Sequence, residues 1–527
     1  MTHRRYIQIT ALALGLALVG CSNPTGTGEG TGKAKEGGTV TVALAEAPDK
    51  LDPTVASTFV GRIVFANMCE KLYDVNEDLE LVPQLAADMP EISEDGKTYT
   101  FDVREGVKFN DGTELNAAAV KKTLEHYQDA PESARSAELS EIDSIETEGD
   151  TTVRLNLKHP FAPLTSIFAD RSGMILSPKQ LDELGADFAN DPVCVGPFSF
   201  KDRPSSDRIE LTKSDHYYDK SDVKLDGVNF SVITQGNVRA ANLRSGDIDI
   251  ADRIEPTDIE TLKSVDDIKI SPVTSLGYQG ITVNVANSNG SGKLPHNIVD
   301  KPLAQEPKLR EAFALSLDRK AINKVVFDGQ YTPGCTPISP VTSYAPDIEC
   351  PEQDLARAKQ LVKETGVKTP VKITLTVEAA NPEATKLGTV IQGMAKKAGF
   401  QVKVQSTEFT TALEQSQAGK LETFQVGWSG RLDPDQNIAP FWDPRSTLGD
   451  SGANYDDVMD LIAKERATTD GAERKQIFNQ LTQKFLEYNN VIYLYHPKVV
   501  LGNRTSLSGV EYYGDGLIRL KTATQTG

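Results

Sequence analysis

Between residues 371 and 428 apolar β-runs and amphipathic stretches alternate in the order β-α-β-α-β, which dictates the kind of sheet this chain builds. VKITLTV (371–377) reads as a strand, Glu383 to Ala398 as a helix closed by Gly399, and QVKVQ (401–405) as a second strand. A helix over Thr411 to Gln417 and a buried strand over Phe424 to Trp428 complete the series. Strands joined through helices run parallel, so the pattern predicts a mixed, largely parallel sheet with helices on both faces. Such sheets bind ligands at the carboxyl ends of their strands.

The rest of the chain is also α/β. Strands are expected at Gly38 to Leu44, Lys97 to Val103, Thr152 to Leu157, Arg208 to Thr212, Gly227 to Ile233 and Ile281 to Val285. Helices are expected at Asn116 to Tyr127, with Asn116 as N-cap, and at Arg239 to Leu243, ending at Gly246. Further helices fall at Pro307 to Leu317, from the capping Asp318 to Phe327, and at Leu355 to Lys363. No internal repeat is visible.

The first 21 residues form a targeting segment. Arg4 and Arg5 make a basic n-region and Ile7 to Val19 a mostly apolar h-region, too short for a permanent membrane helix. Leu18-Val19-Gly20-Cys21 resembles the lipobox of bacterial lipoproteins, in which the cysteine receives a diacylglyceryl group and becomes the mature N-terminus. Arg4-Arg5 alone supports a twin-arginine signal, and Gln8 interrupts the stretch after it. Residues 22–36 are polar and rich in Gly and Thr, a flexible tether. The roughly 490 residues that follow exceed a single core and predict two or three domains. The expected location is extracytoplasmic: the periplasm or the outer face of the cell membrane, held by lipid on Cys21.

A formal net charge of −19 disfavours nucleic acid and anionic lipid as partners. Of five cysteines, Cys21 is assigned to the lipid, leaving Cys69, Cys194, Cys335 and Cys350. An even number in an oxidising compartment suggests two disulfides with three possible connectivities. Cys335 and Cys350 flank one Pro-rich loop, so they are paired here, and Cys69 with Cys194 forms the long-range bond. Closing the shorter loop would stabilise the fold by about 3 kcal/mol in the chain-entropy model.

Six dispersed segments carry a family resemblance: GGTVTVAL followed by LDP, YTFDVREGVKFNDGTELNA, SPK ahead of VGPFSF, LREAFALSLDRKAINKVVFDG, DLARAKQLVKETG, and VGWSGRLDPD. In this order the chain resembles the extracytoplasmic solute-binding proteins of the peptide/nickel class (family 5), which feed ATP-binding-cassette importers. The resemblance implies a two-lobed periplasmic-binding-protein type II fold with a hinge, an interlobe cleft and an extra α+β subdomain in the first lobe. Transferred here, 37–63, 195–273 and 500–527 form the lobe I core, 64–194 the extra subdomain and 274–499 lobe II. Cys69 and Cys194 then lie near the two ends of the subdomain, where a bond would staple its connections.

Gly427-Trp428-Ser429-Gly430-Arg431 follows a buried strand and so is placed at the cleft. Trp428 offers a flat apolar wall, and Gly427 and Gly430 allow close approach of backbone and ligand. Arg431 offers a planar fork of donors for a carboxylate, or else it pairs with Asp433 or Asp435 and shapes the loop. In peptide-binding relatives an aspartate three residues after this tryptophan grips the ligand's α-amino group. Here Arg431 stands at that position, which favours an anionic group, with Asp433 as the substitute contact for an amine. Tyr278, ahead of a lobe II strand, and Glu46, after the first strand, are further cleft candidates.

Catalytic signals are lacking. GWSGR departs from a nucleophile elbow at Arg431, where glycine is required. No HExxH or Cys-x-x-Cys spacing occurs, and the six histidines are scattered. The reading is therefore a non-enzymatic, lipid-anchored receptor, expected to be monomeric and without cofactor or resident metal. It captures a peptide or peptide-like solute and delivers it to permease subunits in the membrane. The alternatives are a non-peptide anionic ligand, opine-like, or a metal chelate such as nickel.

Overall fold

The computed structural model describes residues 34–379 and 381–526. The targeting segment, Cys21 and most of the 22–36 tether lie outside them. Two sheets organise the molecule. The first has seven strands in the order Ile268–Thr274, Lys498–Arg504, Ile250–Ala251, Thr39–Leu44, Gly227–Val232, Arg208–Lys213 and Phe198–Ser205. TVTVAL lies at its centre, parallel to both neighbours, with Val40, Val42, Ala43 and Leu44 fully buried. A strand covered on both faces becomes apolar at consecutive positions, as Val42 to Leu44 are.

The second sheet has six strands in the order Thr332–Pro333, Val491–His496, Tyr278–Val283, Thr423–Trp428, Val371–Glu378 and Phe400–Thr407. Val371–Glu378 is parallel to both Phe400–Thr407 and Thr423–Trp428, the arrangement its β-α-β-α-β order requires. Helix Pro382–Lys396 makes the first connection, its start fixed by the Asn381 side chain, which accepts from the Ala384 amide at 3.0 Å. Phe409–Gln417 makes the second. The strand expected at Ile281 to Val285 begins earlier, at Tyr278, and pairs antiparallel with Thr423–Trp428, Tyr278 opposite Trp428.

A four-stranded antiparallel sheet, Glu91–Ile92, Thr98–Asp102, Thr152–Leu157 and Ile142–Glu148, packs with helix Ala117–Asp129 as an α+β appendage of the first lobe. One apolar core runs through it into the seven-stranded sheet, from Val40 and Phe65 to Tyr127 and Leu155. The sulfurs of Cys69 and Cys194 lie 1.97 Å apart, and those of Cys335 and Cys350 2.06 Å apart.

The chain crosses between the large sheets twice. Ser275 to Gly277 connects strand Ile268–Thr274 to Tyr278–Val283, and Pro497 connects Val491–His496 to Lys498–Arg504. The crossings touch: the Ser275 amide donates to the Pro497 carbonyl at 3.0 Å, and His496 Nδ1 meets the Gly277 carbonyl at 2.8 Å. This pair of adjacent connections is the only covalent link between the two sheets among the described residues, and it has the form of a hinge.

Candidate ligand cleft

Strand Thr423–Trp428 ends beside the crossings. Gly430 has φ +80°, and a Cβ there would stand 2.2 Å from the Leu276 carbonyl carbon. A Cβ on Gly427 would stand 2.3 Å from the Tyr278 carbonyl oxygen. The close approach that these glycines permit is thus to the chain's own hinge backbone.

Asn437, in helix Asp435–Trp442, fixes the segment after the strand. Its side-chain oxygen accepts from the Trp428 indole at 3.1 Å and from the Arg431 amide at 2.7 Å, and its side-chain nitrogen donates to the Arg431 carbonyl at 2.8 Å. The Trp428 ring, half-buried, meets Phe441 edge-on at 5.1 Å and carries the Arg431 guanidinium 4.6 Å from its centroid.

Arg431 pairs with neither Asp433 nor Asp435. Its Nε lies 3.1 Å from Oδ2 of Asp170, in the first lobe. Asp170 in turn accepts from Arg62 Nε at 3.0 Å and from the Arg171 amide at 2.8 Å. Burial, then the like charge of Arg62, pushes Arg431 down to about 9, so it stays cationic near neutrality. Burial works against the Asp170 carboxylate, but Arg62 and Arg431 outweigh it and hold it well below the usual range.

Asp433 is 2 % exposed and paired bidentately with Arg474, at 2.7 and 3.0 Å, and Arg474 reaches Glu465 at 2.5 Å on its other side. Asp435 pairs with Arg466 at 2.6 Å. Both acids are therefore engaged within lobe II. Tyr278 is buried and packs edge-on against Tyr493 at 5.0 Å and Phe441 at 6.1 Å. Glu46, half-exposed, pairs at 3.0 Å with Arg253, a non-glycine residue at φ +51°. Ser429 is exposed, and its hydroxyl accepts from Arg431 Nη1 at 3.3 Å.

Two cavities flank the 427–431 segment. One, of about 510 Å³, lies between Trp428, Arg431 and Gln436 of lobe II and Glu138, Phe161 and Ile167 of the subdomain. The other, of about 210 Å³, lies on the Gly427 side. Sequence reasoning reaches Trp428 and Arg431 but misses Asp170, Arg62, Asn437 and Arg474. Asp170 and Arg431 lie 261 positions apart, and no local spacing signals their meeting. No group of three or more metal-binding side chains occurs among the described residues.

Two lobes, a double-crossing hinge and a cavity of about 510 Å³ between the lobes define a ligand-enclosing binding protein. The model for bacterial extracellular solute-binding proteins, family 5, matches residues 80–448, and the chain belongs to that family, the substrate-binding components of ABC importers. Glutathione-binding protein GsiB of Escherichia coli K12 is 27% identical over 482 residues, covering 89% of this chain and 91% of that one. The ABC transporter substrate-binding protein CtaP of Listeria monocytogenes superposes with a TM-score of 0.83 at 21% identity, covering 94% of this chain and 100% of that one. DppA of Helicobacter pylori, solved with the peptide STSA, gives 0.79 at 24% identity over 94% and 99%. These relatives are binding proteins, not enzymes. No helix among the described residues is long and apolar enough to cross a membrane.

Proposed function

We propose that this chain is a lipid-anchored receptor that encloses a peptide or peptide-like solute between its lobes and presents it to a membrane permease. The observation that carries the reading is the Trp428–Arg431 segment, whose indole and guanidinium line the cavity between lobe II and the subdomain and whose Arg431 pairs with Asp170 across the cleft. Trp428, Ser429 and the backbone at Gly427 are assigned to the solute from lobe II, and Glu46 from lobe I. The similarity to a glutathione-binding protein supports a short peptide. Contacts from both lobes favour the closed state, so binding shifts an open–closed equilibrium. Division of the chain near 63, 194, 273 and 499, two disulfides and a monomeric state belong to the same proposal; both cysteine pairs lie at bonding distance.

Native mass spectrometry of the full chain, purified gently without added solute, tests the ligand class. A bound mass that fragments into amino acids is expected, and a bound non-peptide overturns the peptide assignment. Labelled palmitate should enter the wild-type chain and not Cys21→Ser; equal labelling would remove Cys21 as the anchor.

A further inference from the structure

The smaller cavity, about 210 Å³, is lined by acceptors and aromatic rings. Glu378 and Glu383 bring carboxylates to it, from the end of strand Val371–Glu378 and the first turn of helix Pro382–Lys396. Tyr495 is 7 % exposed, lines the cavity, and its hydroxyl has no hydrogen-bond partner among the described residues. Its ring stacks on Tyr331 at 5.4 Å and 14°. Gln425, 8 % exposed, donates through Nε2 to Gln279 Oε1 at 2.9 Å, which leaves the Gln425 carbonyl oxygen unused.

The charges are one-sided. Among the described residues Glu378 accepts one hydrogen bond, from Asn381 at 2.9 Å, while Glu383 has neither hydrogen bond nor ion pair. No lysine or arginine lines the cavity. Lys386, one turn along the same helix, donates to the Val326 carbonyl at 3.3 Å. Glu255 of the first lobe and Asp328 add negative potential, and burial is the larger reason why Glu383 is pushed up to about 7. Lys386 attracts Glu383 from outside the lining but is outweighed by burial and Glu255, so two carboxylates and a nearly buried phenol make a cavity that repels anions and has no cation in its wall.

We propose that this cavity is a subsite for a cationic group of the captured solute, an ammonium or guanidinium, held by Glu383 and Glu378 beside the Tyr331 and Tyr495 rings. Tyr495 and Gln425 supply oxygen acceptors, and the aromatic walls favour a cation over a neutral polar group. Glu255 on the opposite lobe, paired with Arg239 at 3.6 Å, still adds negative potential at Glu383 when the lobes are together, so a cationic solute would promote closure. The proposal rests on the solute-capture reading above.

The test is calorimetric titration of the full chain with Gly-Arg and with its neutral isostere Gly-citrulline. Gly-Arg should bind at least about tenfold tighter, and the ratio should fall to within about twofold in Glu378→Gln/Glu383→Gln. A carboxylate in a first helical turn also stabilises the helix. That role alone predicts a less stable variant whose preference is unchanged, which would overturn the subsite, as would equal binding of the two dipeptides by the wild type. If the double variant fails to fold, the wild type answers instead: the preference should grow from pH 6 to pH 8 as Glu383 ionises, and a flat profile overturns the assignment. If neither dipeptide binds, the short-peptide reading falls, and agmatine, a cation without peptide groups, decides the subsite. Agmatine binding by the wild type that is lost in Glu383→Gln upholds it, and no agmatine binding overturns it.

Discussion

Asn437 and Arg474 show how single residues set the geometry of the cleft from beneath it. Asn437 locks the Trp428 indole to the Arg431 backbone through three hydrogen bonds, so the aromatic wall is pre-positioned before a solute arrives. Trp428 itself is half-buried at the edge of a core that closes without it, around Trp442, Phe478 and Phe485. Trp428→Ala should therefore weaken solute binding by about tenfold or more and leave the thermal transition nearly in place. Unchanged affinity in a titration would remove Trp428 from the cleft wall. Arg474 stands between Asp433 and Glu465, all three almost fully buried. Burial and Asp435 push the Glu465 carboxyl well above its ordinary value, so removing Arg474 strips Asp433 of its buried cation and Glu465 of a hydrogen bond, and Arg474→Leu should destabilise the fold by about 3–5 kcal/mol in urea titration. A loss below about 1 kcal/mol would mean that water reaches the pair.

At the scale of elements, what the sequence revealed follows from how each element is buried. Strands of the 371–428 unit stand out because short apolar runs are bounded by caps and glycines, and Asn116 and Asp318 cap helices as their side chains suggest. Helix Phe59–Met68 is buried at eight of its ten residues and has no side-chain cap, so it shows no amphipathic period. Strand Val491–His496 is buried at every position and lacks alternation for the same reason. Helix Gly471–Tyr488 is different: Ile477, Phe478, Leu481 and Phe485 carry the spacing and Asp470 caps it, so its signal was present. The cleft was legible only as far as strand-end logic reaches, to Trp428 and Arg431. The loop bearing Asp170 announces nothing locally, because its role exists only once the lobes meet. With a carboxyl held below its ordinary value, the stabilisation is present above the unfolded value of about 3.9 and lost as pH falls through the folded one. Emission from Trp428 in a Trp442→Phe background should then stay constant from pH 8 to pH 5 and shift only below about pH 4. A midpoint near pH 6 would assign the contact to another group.

For the whole molecule, the Asp170–Arg431 pair bears on the balance between open and closed lobes. Across the cleft Ala162 also donates to the Arg466 carbonyl at 2.8 Å, and Arg466 lies 5.4 Å from the Phe161 ring centroid, so the closed form has several supports. Asp170 differs from the others in separating two guanidiniums, those of Arg62 and Arg431. Asp170→Asn keeps the shape of that side chain but leaves both cations facing a neutral group inside the interface. In the open form Arg431 regains water, so the cost falls on the closed form. A charged hydrogen bond of about 2 kcal/mol corresponds to about thirtyfold in the closed-to-open ratio. Small-angle scattering of the solute-free full chain should give a larger radius of gyration for Asp170→Asn than for the wild type. Saturating solute should bring the two together, at an affinity lowered for neutral and charged solutes alike. If Arg431 instead selects a solute carboxylate, Arg431→Met would weaken carboxylate-bearing solutes alone and leave the scattering unchanged. The two outcomes separate a residue that grips the solute from one that holds the lobes.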